Sequence, residues 1–168
     1  MTKLIKRITF LKKENAQTMV EFALVFPVVL LITYAIMEFG RMVWIYAAVT
    51  GAAREGARYG AASGSVNGTR YYKDCSGIRN AVRRNSTLVT ITDPNITISY
   101  DNGPSPTAIW NTCPPVGSNG LDPIMLGDRI VVQVRAAYQP MIGFLNFNGF
   151  TISARNARTI LLNIEMGP

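Results

Sequence analysis

Between Phe22 and Met37 the chain reads FALVFPVVLLITYAIM, sixteen residues without a charge, closed by Glu21 and Glu38. A run this apolar must be buried in protein or in lipid, and that choice decides most of what the chain can fold into. A bilayer span takes roughly 20 residues, with a range of about 17–25. The run alone is slightly short, but it resumes after Glu38 and Arg41 with Met42, Val43, Trp44, Ile45 and Tyr46. Glu38 and Arg41 stand three apart, on one helical face, where they can pair. Trp44 and Tyr46 suit an aromatic belt at the interface. The pattern predicts a span from about Phe22 to Tyr46.

Other readings of the run compete. A secretory signal peptide needs a small-residue cleavage site after the apolar stretch. The sequence there is MEFGRMVWIY, with no A-x-A, and helix formers continue. A buried core helix does not call for a basic leader in front of it. A plain single-span anchor stays open on hydropathy alone.

Charge supports the membrane reading. The 168 residues carry 17 Lys+Arg and 10 Asp+Glu, a formal +7. Lys3, Lys6, Arg7, Lys12 and Lys13 against Glu14 make residues 1–16 +4 and leave +3 for everything after them. Cations just before an apolar run form the positive-inside pattern and put the N-terminus in the cytoplasm. Nucleic-acid binding would want a basic stripe with aromatics on a folded surface, and none is present, so no nucleic-acid partner is expected. Arg79, Arg83 and Arg84 read as a solvated helix face. Charged residues are 16% of the chain, against about 25% in an average soluble domain.

Helix signals continue past the span. AAVTGAAREGARYGAAS, residues 47–63, is Ala-rich and free of Pro. Small residues recur four apart at Ala47 and Gly51, Ala52 and Gly56, and Gly56 and Gly60, a spacing that lets helices approach closely. Gly60 or Gly64 is the expected helix end. As one helix, Gln17 to Ala62 would extend about 70 Å and project beyond the membrane. Pro27, inside the apolar run, removes one backbone hydrogen bond and crowds the carbonyl of Ala23, so a kink is expected there.

The segment ENAQTMVEFALVFPVVLLITYAIMEFGRMVWIYAAVTGAAREGARYGA resembles the TadE-like pseudopilins of the tight-adherence (Tad, or Flp) pilus system. Three pieces carry the resemblance: VEFALVFPVVLL at 20–31, EFGR at 38–41 and AAREGARYGA at 52–61. Together they cover about the first 60 residues; the remaining hundred or so match only loosely. The resemblance implies a type IV prepilin-like leader, cut by a membrane prepilin peptidase before the apolar helix, with Glu at the fifth mature position. Glu21 is fifth if the cut falls between Ala16 and Gln17. Ala16 stands where the family usually has Gly, and Pro27 becomes the eleventh mature residue. A carboxylate at the edge of an apolar helix is costly in a filament unless paired. Glu21 of one subunit could neutralise the new Gln17 amine of its neighbour and set the stagger. Otherwise Glu21 sits in the headgroup region.

Three regions are expected: a basic prepilin-type leader at 1–16, a long helix at 17–63, and an exported domain at 64–168. The fold class is α+β: a long N-terminal helix, then a small pilin-like domain with a short helix and an antiparallel sheet of 3–4 strands. GSVNGTR at 64–70 reads as a turn or linker. Ser76 can cap a short helix to about Asn85, with Ile78, Ala81 and Val82 on one side. ITISY at 96–100 and RIVVQVRAAY at 129–138 alternate as strands do. FTISARNARTILL at 150–162 starts in phase and shifts near Ala157, as a bulge would. LVTIT at 88–92 is a weaker strand. MIGFLNFNGF at 141–150 is too apolar for a free loop; it folds over the sheet or meets a partner. Asn67, Asn85 and Asn95 each begin an N-x-Thr triplet, which the resemblance to a bacterial family makes chance. Cys75 and Cys113 suit a disulfide in an oxidising compartment, with two free thiols as the other reading.

Catalytic signals are missing from the sequence. No His is present, which removes Ser-His-Asp and Cys-His catalysis and His metal sites. Two cysteines cannot supply a four-thiolate site. G-x-S-x-G and phosphate-loop motifs are absent. Asp93, Asp101, Asp122 and Asp128 sit beside Pro, Asn, Gly or Arg, where turn chemistry accounts for them. No cofactor and no enzymatic activity are expected. The expected function is structural: a minor pilin or pseudopilin in the cytoplasmic membrane with its C-terminal domain outside. Its partners would be the prepilin peptidase, other pilins, the pilus assembly platform and the membrane. The alternative is a single-span anchored binding module that keeps residues 1–16.

Overall fold

The structure is a computed structural model describing residues 2–86, 89–103, 109–117, 120–141 and 149–162, with side chains from Gln17 onward. Helix α1 runs Thr2–Gly60 and continues through Pro27. A two-residue hairpin follows, β1 (Ser65–Val66) against β2 (Thr69–Arg70). Then come helix α2 (Cys75–Arg84) and the strands β3 (Ile96–Asp101), β4 (Arg129–Tyr138) and β5 (Phe150–Thr159). The architecture is α+β. The chain divides into two compact units, Met1–Arg41 and Met42–Pro168.

In the first unit α1 is apolar and exposed. Its most apolar 18-residue window has a mean hydropathy of 2.3, and the helix is long and apolar enough to cross a membrane. Phe22 and Phe26 stack one turn apart, with centroids 5.3 Å apart. The Thr33 hydroxyl donates to the Val29 carbonyl at 2.8 Å, which hides a polar group inside the helix's own backbone. Arg41 pairs with Glu38 at 2.6 Å.

In the second unit β3, β4 and β5 form an antiparallel sheet with β4 in the centre. Alternation puts Ile130, Val132, Val134 and Ala136 on one face, with Ile96, Ile98 and Tyr100 beside them. Val49, Ala52, Ala53 and Ala57 of α1 and Ile78 and Val82 of α2 join them in one core. Glycine makes the approach possible: a Cβ on Gly56 would lie 2.5 Å from Val82 Cγ2 and 3.2 Å from Val132 Cγ1. The small-residue stripe of α1 thus packs against α2 and β4 of the same chain.

Several sequence expectations are corrected. β5 pairs with β4 without interruption from Tyr138↔Phe150 to Arg129↔Thr159, so there is no bulge near Ala157. The apparent phase shift arises because Asn156 and Arg158 take inward-side positions toward the end of an edge strand. The N-cap of α2 is Asp74, not Ser76: its carboxylate accepts from the Gly77 amide at 2.9 Å and from the Ser76 hydroxyl at 2.8 Å. Residues 89–92 are not a strand, although Ile91 is buried. Leu88 lies outside the described residues. Asn67 and Gly68 both have positive φ, 50° and 78°, as a type I′ hairpin turn requires. Of the apolar segment 141–150, residues 142–148 lie outside the described residues, while Met141 and Phe150 are exposed.

Candidate functional site

The residues expected to guide assembly lie at the start of the apolar helix. Gln17 Nε2 donates to Glu21 Oε1 at 3.2 Å, one turn on along α1. Both side chains are exposed, and Glu21 opens a surface of exposed Phe22, Leu24, Val25 and Phe26. Pro27 follows six residues after Glu21 on the same helix. The side chain of Ala16 lies outside the described residues. This region offers a peptide bond next to a small residue and a carboxylate with one helical neighbour. A carboxylate there can pair with a cation; among the described residues no nucleophile–base pair lies beside it.

The other polar constellation caps the sheet end from which β4 starts. Asp101 is fully buried and takes two hydrogen bonds from Arg129, at 2.7 and 3.0 Å, with Arg155 at 3.3 Å. Burial pushes its carboxyl up, but these guanidinium bonds and the Gly103 amide outweigh it and hold the group below its ordinary value. Asp122 accepts from the Tyr72 hydroxyl and the Ile124 amide, and pairs with Lys73 at 2.9 Å. Its carboxyl is likewise lowered, those bonds outweighing burial. Tyr100 donates to the Tyr72 carbonyl at 2.5 Å, and burial first, then the neighbouring Tyr72 and Asp122, push its hydroxyl up. Cys75 and Cys113 form a disulfide with Cα atoms 5.8 Å apart, beside Tyr100.

These carboxylates each have structural work. Asp128, buried, accepts from the Met125 amide at 2.7 Å, and Asp93 pairs with Arg83. Asp101 departs most from the turn reading, because it ends a strand and anchors two arginines. Arg83 and Arg84 are exposed and Arg79 half-buried. Among the described residues no group of three or more acidic or cysteine side chains is arranged to hold a metal ion. Sequence reasoning missed the Asp101–Arg129 pair and the Tyr72–Asp122 pair. Their partners lie 28 and 50 residues apart, beyond any local pattern.

The arrangement defines a class: a chain with one N-terminal helix fit to cross a membrane, joined to a disulfide-tied α+β domain. Within that class, residues 16–58 match the family model described as TadE-like protein. No curated protein and no solved structure matches the chain. The matched residues cover the apolar helix and its small-residue continuation, about a quarter of the chain.

Proposed function

We propose that the chain is a minor pilin or pseudopilin of a Tad (Flp) system, a non-enzymatic part of pilus structure or assembly. The observation that carries this reading is the bare apolar surface of α1. From Met19 to Tyr46 its large apolar side chains are exposed on every side apart from a half-buried stripe. A helix apolar all round is stable only in lipid or among other helices. The TadE-like match over residues 16–58 supports the second environment as well as the first.

In this reading residues 1–16 are a leader and the prepilin peptidase cuts between Ala16 and Gln17. The basic leader stays in the cytoplasm, and the domain from residue 64 lies outside. Cleavage exchanges an amide for an α-ammonium at Gln17. Glu21 already holds the Gln17 side chain at 3.2 Å, and in a filament its carboxylate takes the amine of the adjacent subunit. Pro27 supplies a weak point where the helix bends on leaving the bilayer.

Glu21→Gln tests this. The variant should remain in membranes at wild-type level but fall at least tenfold in the sheared pilus fraction. Equal recovery of both chains in that fraction removes Glu21 from assembly. Wild-type chain confined to membranes in piliated cells supports the anchored binding module instead.

A further inference from the structure

Helix α1 and strand β4 run in opposite directions across the core of the second unit. A Cβ on Gly60 would meet Ile130, and one on Gly56 would meet Val132. Four helical residues rise about 6 Å and two strand residues about 6.6 Å, so the elements advance in step. From Gly56 back to Trp44 is about 18 Å of helix; from Val132 on to Tyr138 is about 20 Å of strand. Val49 and Ala136, between these limits, are buried in the same core. Tyr138 and its ladder partner Phe150 therefore come level with Trp44, and Met141 follows three residues after the end of β4.

This end of the domain exposes aromatic side chains. Trp44 is 59% exposed, Tyr46 58%, Phe150 49% and Met141 73%. The rings of Tyr138 and Phe150 pack with centroids 4.9 Å apart. No charged residue occurs from Ala136 to Ala154, and Arg135 just before that stretch is exposed. The opposite end of the sheet carries the buried Asp101 and Asp128 with Arg129, beside exposed Met125 and Leu126. Aromatic and thioether side chains rimmed by a cation fit the boundary between acyl chains and headgroup phosphates.

We propose that the β4–β5 end of the domain docks on a phospholipid surface. Met141 and Phe150 enter the interface that Trp44 and Tyr46 mark, and Arg135 meets headgroup phosphate. The domain is then held to the bilayer at two points, and leaving the membrane requires releasing both. The proposal rests on the reading of α1 as a membrane span.

The test is lipid quenching of the full chain, reconstituted in phosphatidylcholine–phosphatidylglycerol vesicles containing lipids with a nitroxide near the headgroup. A bimane is attached in turn through Met141→Cys, Trp44→Cys and Leu126→Cys, the last at the opposite end of the sheet. Positions 141 and 44 should be quenched at least twofold more than 126. Quenching at 44 with 141 no stronger than 126 overturns the docking and leaves the span intact. Absence of quenching at 44 overturns the span and the docking together. If 141 is shielded from both the lipid nitroxide and aqueous iodide, a protein covers it and lipid docking is wrong.

Discussion

Asp101 and Arg129 sit opposite each other in the β3–β4 ladder and are joined side chain to side chain by two hydrogen bonds, at 2.7 and 3.0 Å. The carboxylate is fully buried, while the guanidinium is partly open to solvent. Removing the arginine leaves a buried charge short of its main partner, which costs about 3–5 kcal/mol in comparable pairs. Arg155 remains at 3.3 Å and offsets part of this. Arg129→Leu should therefore lower stability by about 3 kcal/mol in denaturant titration of the detergent-solubilised chain. A loss below about 0.5 kcal/mol would show that solvent or Arg155 replaces the pair.

Acid stability follows from the same carboxylates. Asp74, Asp101 and Asp122 are all held below their ordinary value of 3.8. A depressed folded-state pKa means that the unfolded chain takes up protons first. The stabilisation is complete above about pH 4 and is lost as pH falls through the lower folded values. The melting temperature should thus be flat from neutral pH to about 4 and drop below it, with a shallower drop in Asp101→Asn. At the alkaline end Tyr72 and Tyr100 are shifted upward, so their contribution holds below pH 10 and is lost as pH rises through their folded values.

Glycine on α1 gives a contrast within one helix. At Gly51 a Cβ would meet only Asn85 Nδ2, at 3.6 Å, an ordinary contact. Gly51→Ala should gain about 0.5–1 kcal/mol from helix propensity. At Gly56 the nearest atom is on Val82, whose β-branched side chain has little rotamer freedom in a helix. Overpacking there costs about 1–3 kcal/mol, so Gly56→Ala should be destabilising despite the same propensity gain. Thermal unfolding of the two variants side by side checks the opposite signs.

The disulfide closes a loop of 38 residues between the start of α2 and the segment before Pro114. Chain-entropy arithmetic for that loop gives about 4 kcal/mol. The Cys75→Ser, Cys113→Ser double variant should lose stability on that order, with the greatest loss of amide-exchange protection around Tyr72, Tyr100 and Trp110. Wild-type stability in the double variant would contradict the assignment.

Where local pattern governs, the sequence was readable. The uncharged run marks α1 as a helix apolar enough to cross a membrane, and alternation of Ile96, Ile98 and Tyr100 and of Ile130 to Tyr138 marks β3 and β4. Failures came where a local rule was outranked. Ser76 looked like a cap, but Asp74 is one turn before the α2 amide that needs an acceptor. Asn67–Gly68 carries the hairpin signal, but the flanking strands are two residues each, too short for alternation to mark them. In β5, Asn156 and Arg158 broke the apolar alternation, and only the ladder with β4 restores the phase. The long-range pairs of Asp101 and Asp122 have no sequence spacing to betray them; they exist because the sheet and the loop after Cys113 bring those residues together.

Cleavage at Ala16 tests the central claim most directly. Intact mass and N-terminal sequence would be determined for the membrane-extracted chain, from cells with and without the prepilin peptidase. The account predicts a mature N-terminus at Gln17 that appears only when the peptidase is present. A chain beginning at Met1 in both would contradict it and make the protein a permanently anchored module.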